Sequence, residues 1–174
     1  MPSPTHRFAS LDTSFLLALA AGDQDCEEVL DWLGRNNVYA LVTPTVVQEL
    51  VDLEEQDKDA GPTAKIAKTT LGVWGILAPS IEPTEHGIAT IIARKFVEKG
   101  VLPDECENDG LVLAEAGIEG CRMLITYRKS ILDAPKQHLK LVLLESDVAD
   151  LLAASPDQIV AYLHKQKATP ASST

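Results

Sequence analysis

Three acidic residues stand where the sequence suggests that buried strands end or helices begin. Phe8-Ala9-Ser10-Leu11 reads as a short buried strand, and Asp12-Thr13-Ser14 follows it directly. Val38-Tyr39-Ala40-Leu41-Val42 reads as a second strand, with Glu49 one to two helical turns beyond it. Asp109 opens the segment Leu111-Val112-Leu113-Ala114-Glu115-Ala116, which runs into a further strand, Met123-Leu124-Ile125-Thr126. In parallel α/β sheets, sites gather outside the carboxyl ends of the strands. Carboxylates converging there repel one another by about 4 kcal/mol per pair at 4 Å and an effective dielectric of 20. Such a cluster persists only if a proton, a basic partner or a metal ion relieves it, and a divalent metal is the expectation for these acids.

The elements that must position these residues alternate along the chain. Asp12 precedes a small-residue helix from Phe15 to Ala21, stopped by Gly22. Asp23 or Asp25 caps a second helix whose apolar residues Cys26, Val29, Leu30 and Leu33 keep helical spacing. Thr43-Pro44 is an N-cap and first-turn pair for a helix with the stripe Val46, Val47, Leu50 and Leu53. Residues 52–62 read as a solvated connection, and Lys65 to Leu77 as a mixed segment. Thr84 is expected to cap a helix whose Ile88, Ile91, Ile92 and Phe96 share a face, and Gly100 closes it. Asp104 to Glu119 reads as another long helix, followed by strands at 123–126 and 141–144. Ser155-Pro156-Asp157-Gln158 is a capping box for a last helix through Leu163. The alternation predicts an α/β fold, one parallel β-sheet with helices on both faces. The expected organisation is a tail at 1–7, a single domain at 8–167 and a disordered tail at 168–174.

Composition narrows the function. A chain of 174 residues with 45% hydrophobic content is long enough to bury a core as one domain. A formal net charge of -11 opposes non-specific binding to a polyanion, and few aromatic residues argue against a stacking platform for single strands. Nucleic-acid chemistry would need metal ions or a local basic patch; Arg128-Lys129 is the basic pair nearest the acids. Cys26, Cys106 and Cys121 form no CxxC pair, as expected of a reduced compartment. The run Phe15 to Ala21 is short for a signal peptide, and no stretch reaches membrane-spanning length. A soluble, cytoplasmic protein is therefore expected. His6, His86, His138 and His164 lack metal-ligand spacing, and no phosphate-binding or nucleophile-elbow motif occurs.

Leu11-Asp12-Thr13-Ser14-Phe15-Leu16-Leu17, Thr45-Val46-Val47-Gln48-Glu49-Leu50, and Asn108-Asp109-Gly110-Leu111-Val112-Leu113-Ala114-Glu115-Ala116 followed by Leu124-Ile125-Thr126 resemble, in this order, the signature of the PIN domain family, which includes the VapC-type toxin ribonucleases. The resemblance spans about residues 8–153. It implies a PIN-like domain and a metal-dependent endoribonuclease, in many cases the toxin of a type II toxin–antitoxin pair. Four acids in such domains hold Mg²⁺ or Mn²⁺ over the scissile phosphate of an RNA substrate. Asp12, Glu49 and Asp109 correspond to three of them. The fourth acid follows the threonine matched by Thr126, and there this chain has Arg128.

Several readings of that departure stand side by side. Three acids with waters and a substrate phosphate suffice for one Mg²⁺, and Arg128 would then contact phosphate. Alternatively, Arg128 supplies charge compensation by pairing with Asp109 or Asp12. Glu105 and Asp133 are either substitute ligands or solvated residues. Each main acid also has a plainer role: Asp12 as a helix cap, Glu49 as a surface residue, Asp109 as a first-turn acid. The second functional reading is a catalytically impaired PIN-like module that binds a protein or RNA. An antitoxin protein and a second copy of the chain, in a homodimer, complete the expected partners.

Overall fold

The computed structural model describes residues 7–168. Its elements in chain order are β1 (Arg7–Leu11), α1 (Thr13–Ala20), α2 (Gln24–Arg35), β2 (Val38–Leu41), α3 (Pro44–Gln56), α4 (Gly61–Thr70), α5 (Pro83–Glu98), α6 (Glu107–Ile118), β3 (Met123–Ile125), α7 (Lys129–Leu132), α8 (Lys136–Glu145), β4 (Leu152–Ala154) and α9 (Pro156–Ala168). The strands form one sheet in the order β2-β1-β3-β4, and every pairing is parallel. Helices cover both faces, as expected for a parallel sheet built from crossover connections. The apolar faces meet in a continuous core that includes the fully buried Phe15, Phe96, Leu11, Leu113 and Leu124.

Register sets where the strand ends fall. Ser10 pairs with Leu41 on one side and Leu124 on the other. Past the last paired residues, Asp12 N–H donates to Ile125 O at 3.1 Å and Thr126 N–H to Ala154 O at 3.1 Å. The residues after β1 and β3 are thus held by the ladder itself. Beyond α4 the chain returns to extend the sheet at β2, where Leu77 bridges Leu41 and exchanges hydrogen bonds with Ala40 and Val42.

Five expectations require correction. Residues 141–144 are not a strand; they lie in α8, with Val142 and Leu143 buried and Leu141 and Leu144 exposed. A short apolar run does not discriminate strand from helix by period. The fourth strand is instead the brief Leu152–Ala154, which its small residues barely announce. The helix expected from Asp104 begins only at Glu107, so Glu105 sits in the preceding turn, exposed. Residues 52–62 are largely helical, divided between the end of α3 and the start of α4. The α5 helix is capped by Glu82 rather than Thr84, through a reciprocal box with Glu85. Its buried stripe is Ala89, Ile92, Ala93 and Phe96, with Ile88 and Ile91 exposed.

Of the tails expected at 1–7 and 168–174, residues 1–6 (with His6) and 169–174 lie outside the described residues. Arg7 opens β1 and Ala168 closes α9.

The helices α5 and α6 cross closely because Gly110 has no side chain: a Cβ there would meet the Cα, Cβ and O atoms of Ala93 at 3.2 Å. Gly87, on the exposed side of α5, faces open space. Gly110→Val should therefore cost about 1–3 kcal/mol by overpacking. Gly87→Ala should gain about 0.5–1 kcal/mol through helix propensity. Thermal denaturation of the two variants reads the contrast, at about 2–4 °C per kcal/mol for a domain of this size. Equal shifts would show that the α5–α6 contact is not tight.

Candidate functional site

Asp12, just past β1, Glu49 of α3 and Asp109 of α6 converge on one guanidinium at the carboxyl end of the sheet. Arg128 Nε lies 3.1 Å from Asp12 Oδ2, and Nη2 lies 2.5 Å from Glu49 Oε2. Arg128 Nη1 pairs with Asp109 Oδ1. Asp12 is fully buried, Asp109 and Glu49 are mostly buried, and the Arg128 side chain is 24% exposed. Arg128 thus contacts all three acids, Glu49 as well as Asp109 and Asp12. Burial alone would lower the Arg128 pKa. The charge of Asp12, with the hydrogen bonds and charge of Glu49 and the hydrogen bond of Asp109, outweighs it, and the net shift is upward.

Hydroxyl groups aim the acids. Asp12 Oδ2 accepts from Ser14 Oγ at 2.7 Å, from Thr126 Oγ1 at 2.8 Å and from Ser14 N–H at 3.3 Å. The last contact is an N-cap of α1, so Asp12 fulfils its plain role as a cap as well as facing the site. Thr13 Oγ1 donates to Glu49 Oε2, and Ser130 Oγ donates to Asp109 Oδ2. Thr13, Ser14 and Thr126 fall within the signature segments of the sequence, whereas the only signal for Ser130 is its place two residues after Arg128.

The loop after β3 is equally constrained. Tyr127 N–H donates to Ser14 Oγ at 2.9 Å, and the Tyr127 hydroxyl lies 3.3 Å from Asp23 Oδ1, the cap of α2. Arg128 N–H donates to Thr126 Oγ1 at 2.9 Å. Arg128 is thus directed at the acids by its backbone and not only by charge. Glu105 and Asp133 are both exposed, Asp133 at the C-cap of α7. Among the described residues neither pairs with Arg128.

The donor chemistry suits a hard divalent cation in one respect and opposes it in another. Three carboxylates against one guanidinium leave an excess of two negative charges. All partners of Asp12 fall on Oδ2, so its buried Oδ1 has none, although a buried carboxylate oxygen normally finds a partner. Both features fit a metal ion. Among the described residues, however, no group of three or more His, Cys, Asp or Glu side chains is gathered as a ready metal cage. Arg128 stands between the carboxylates that would form one. The residues fit a divalent ion once the guanidinium yields at least one contact.

No family model matches the sequence. No curated protein matches it either. Solved structures do. The crystal structure of VapBC2 from Rickettsia felis, bound to a DNA fragment from its promoter, is similar at a TM-score of 0.60 and 15% identity, covering 85% of this chain and 98% of that one. A second similar structure is VapC20 of Mycobacterium tuberculosis, described as a Sarcin-Ricin loop cleaving toxin, at a TM-score of 0.47 and 17% identity. It covers 72% of this chain and 93% of its own, a likeness too loose to argue from. Together, the parallel order β2-β1-β3-β4, the acids at its carboxyl end and the superposition on VapBC2 identify the fold of this chain as a PIN-like domain.

Proposed function

We propose that this chain is a PIN-type endoribonuclease, with RNA as substrate and Mg²⁺ or Mn²⁺ as its cofactor. The observation that carries this reading is the convergence of Asp12, Glu49 and Asp109 on one point with two negative charges in excess and Asp12 Oδ1 unpartnered. Asp12, Glu49 and Asp109 would hold the ion. Bound there, a divalent ion supplies charge neutralisation of the phosphate oxygens and acidifies a water for attack on phosphorus. The chain's own residues do the rest. Thr126 and Ser14 hold Asp12 Oδ2 by hydrogen bonds, which leaves the buried Oδ1 without a protein partner. Thr13 and Ser130 fix the Glu49 and Asp109 carboxylates. Arg128 holds the three acids together, and its planar donors would suit the oxygens of a substrate phosphate. The toxin context of the neighbouring fold suggests an antitoxin protein as the partner of this chain, and a second copy as another.

A second reading is favoured by the completeness of the Arg128 ion pairs. If the guanidinium never yields, the pocket is permanently closed and the chain acts as a catalytically impaired module that binds a protein or RNA. Breaking a largely buried pair costs about 3–5 kcal/mol, a cost reduced here by the partial exposure of Arg128.

Arg128→Ala decides between them. In the presence of a chelator, its melting temperature should fall below that of the wild type, because three mostly buried carboxylates lose their counter-charge. Mn²⁺ should restore it, since an ion that binds only the native state adds stability by mass action. A ribonuclease should show Mn²⁺ binding in the wild type by calorimetry and cleavage of a fluorescent RNA. A closed module should show neither until Arg128 is removed.

Replacement of the missing acid gives a separate check. Arg128→Asp should bind Mn²⁺ at least about tenfold more tightly than the wild type, equivalent to about 1.4 kcal/mol. Asp12→Asn should lose both binding and cleavage and melt below the wild type in chelator, because it removes the buried carboxylate paired with Arg128 and leaves an amide N–H without a partner. Binding by Arg128→Asp no tighter than the wild type would show that the guanidinium does not compete with the ion.

A further inference from the structure

Glu115 is a buried carboxylate outside the set of acids around Arg128. It lies on α6, nearly two turns after Asp109, and is fully buried. Its hydrogen bonds reach another helix: Thr45 N–H donates to Glu115 Oε2 at 3.0 Å, and Thr45 Oγ1 donates to Glu115 Oε1 at 2.9 Å, while His86 Nδ1 of α5 lies 3.9 Å from Oε1. Thr45 is the second residue of α3, and Glu49 follows one turn later. The N-terminus of α3 lacks a cap of its own. Pro44 has no N–H, and the buried Thr43 hydroxyl, at the N-cap, makes no hydrogen bond. Glu115 therefore supplies from across the interface the acceptor that helix starts require, and the positive end of the helix dipole favours its charge.

The two helices carrying Glu49 and Asp109 are thus joined twice. At one end Arg128 bridges Glu49 and Asp109. At the other, Glu115 binds Thr45 directly. We infer that Glu115 is a positioning residue, which sets the spacing of Glu49 and Asp109 and holds it when Arg128 leaves the acids. The inference rests on the ribonuclease reading only for the identity of the ion that profits. The tie itself exists without an ion.

The test follows the Arg128 side-chain Nε–H resonance in the ¹⁵N-labelled, metal-free protein, assigned by its loss in Arg128→Lys. Glu115→Ala should move or broaden that resonance, because Glu49 is released. In a Mn²⁺ titration the same variant should bind about tenfold to a hundredfold more weakly, as removal of an outer-shell partner does. Glu115→Gln should restore both, since its amide oxygen accepts from Thr45 N–H and its amide nitrogen donates to the Thr45 hydroxyl. Should Glu115→Ala fail to fold, Thr45→Val, which removes only the hydroxyl bond, should give a smaller change in the same direction. The inference is overturned if the Arg128 resonance stays at its wild-type position in whichever of these two variants folds, while only the melting temperature falls. Absence of Mn²⁺ binding to the wild type would count against the ribonuclease reading alone, and the metal-free resonance would still decide the role of Glu115.

Discussion

The architecture at the carboxyl end of this sheet depends on one interaction, the guanidinium of Arg128 among three carboxylates. Asp12, Glu49 and Asp109 arrive from three elements far apart in sequence, and their mutual repulsion would drive α3, α6 and the end of β1 apart. A single cation with planar, forked donors meets one oxygen from each. The local hydroxyls then have a narrower task, to turn each carboxylate so that one oxygen faces the guanidinium. Loop, helix and strand ends are arranged around a point of charge rather than around an apolar contact.

The same arrangement explains why a site rich in acids is not by itself a metal site. A bound ion and a bound guanidinium draw on the same oxygens, and only their difference in free energy decides which is present. Glu49 gives one oxygen both to Thr13 and to Arg128, and Asp109 divides its two between Arg128 and Ser130. Asp12 differs, because three donors and Arg128 share one oxygen and the other stays bare. In Asp12 that bare oxygen is also buried.

Much of this was legible in the residues, for identifiable reasons. The strands at β1, β2 and β3 show in sequence because buried parallel strands are short apolar runs, and the acids show because they follow those runs. Arg128 stood out because it occupies a position where an acid was expected. The fourth strand did not show: Leu152-Ala153-Ala154 is too short and too small to outweigh Leu141-Val142-Leu143-Leu144, which is apolar because it is one face of α8 plus two exposed leucines. The late start of α6 was hidden because Asp104 and Glu105 look like first-turn acids. The pairing of Glu115 with Thr45 is a contact across 70 positions, and no local pattern encodes it.

The double employment of Asp12 bears on how such a chain can change over generations. Its carboxylate caps α1, receives Thr126 from the neighbouring strand and faces Arg128, so its loss would disturb the fold as well as the chemistry. Persistence of that aspartate in a descendant is therefore no record of catalysis, because selection for a folded chain alone would retain it. Arg128 is under a looser bond: its backbone is held by Thr126, but its side chain serves only the acids. A change of that one side chain would alter the charge at the carboxyl end of the sheet and leave every residue that builds the sheet in place.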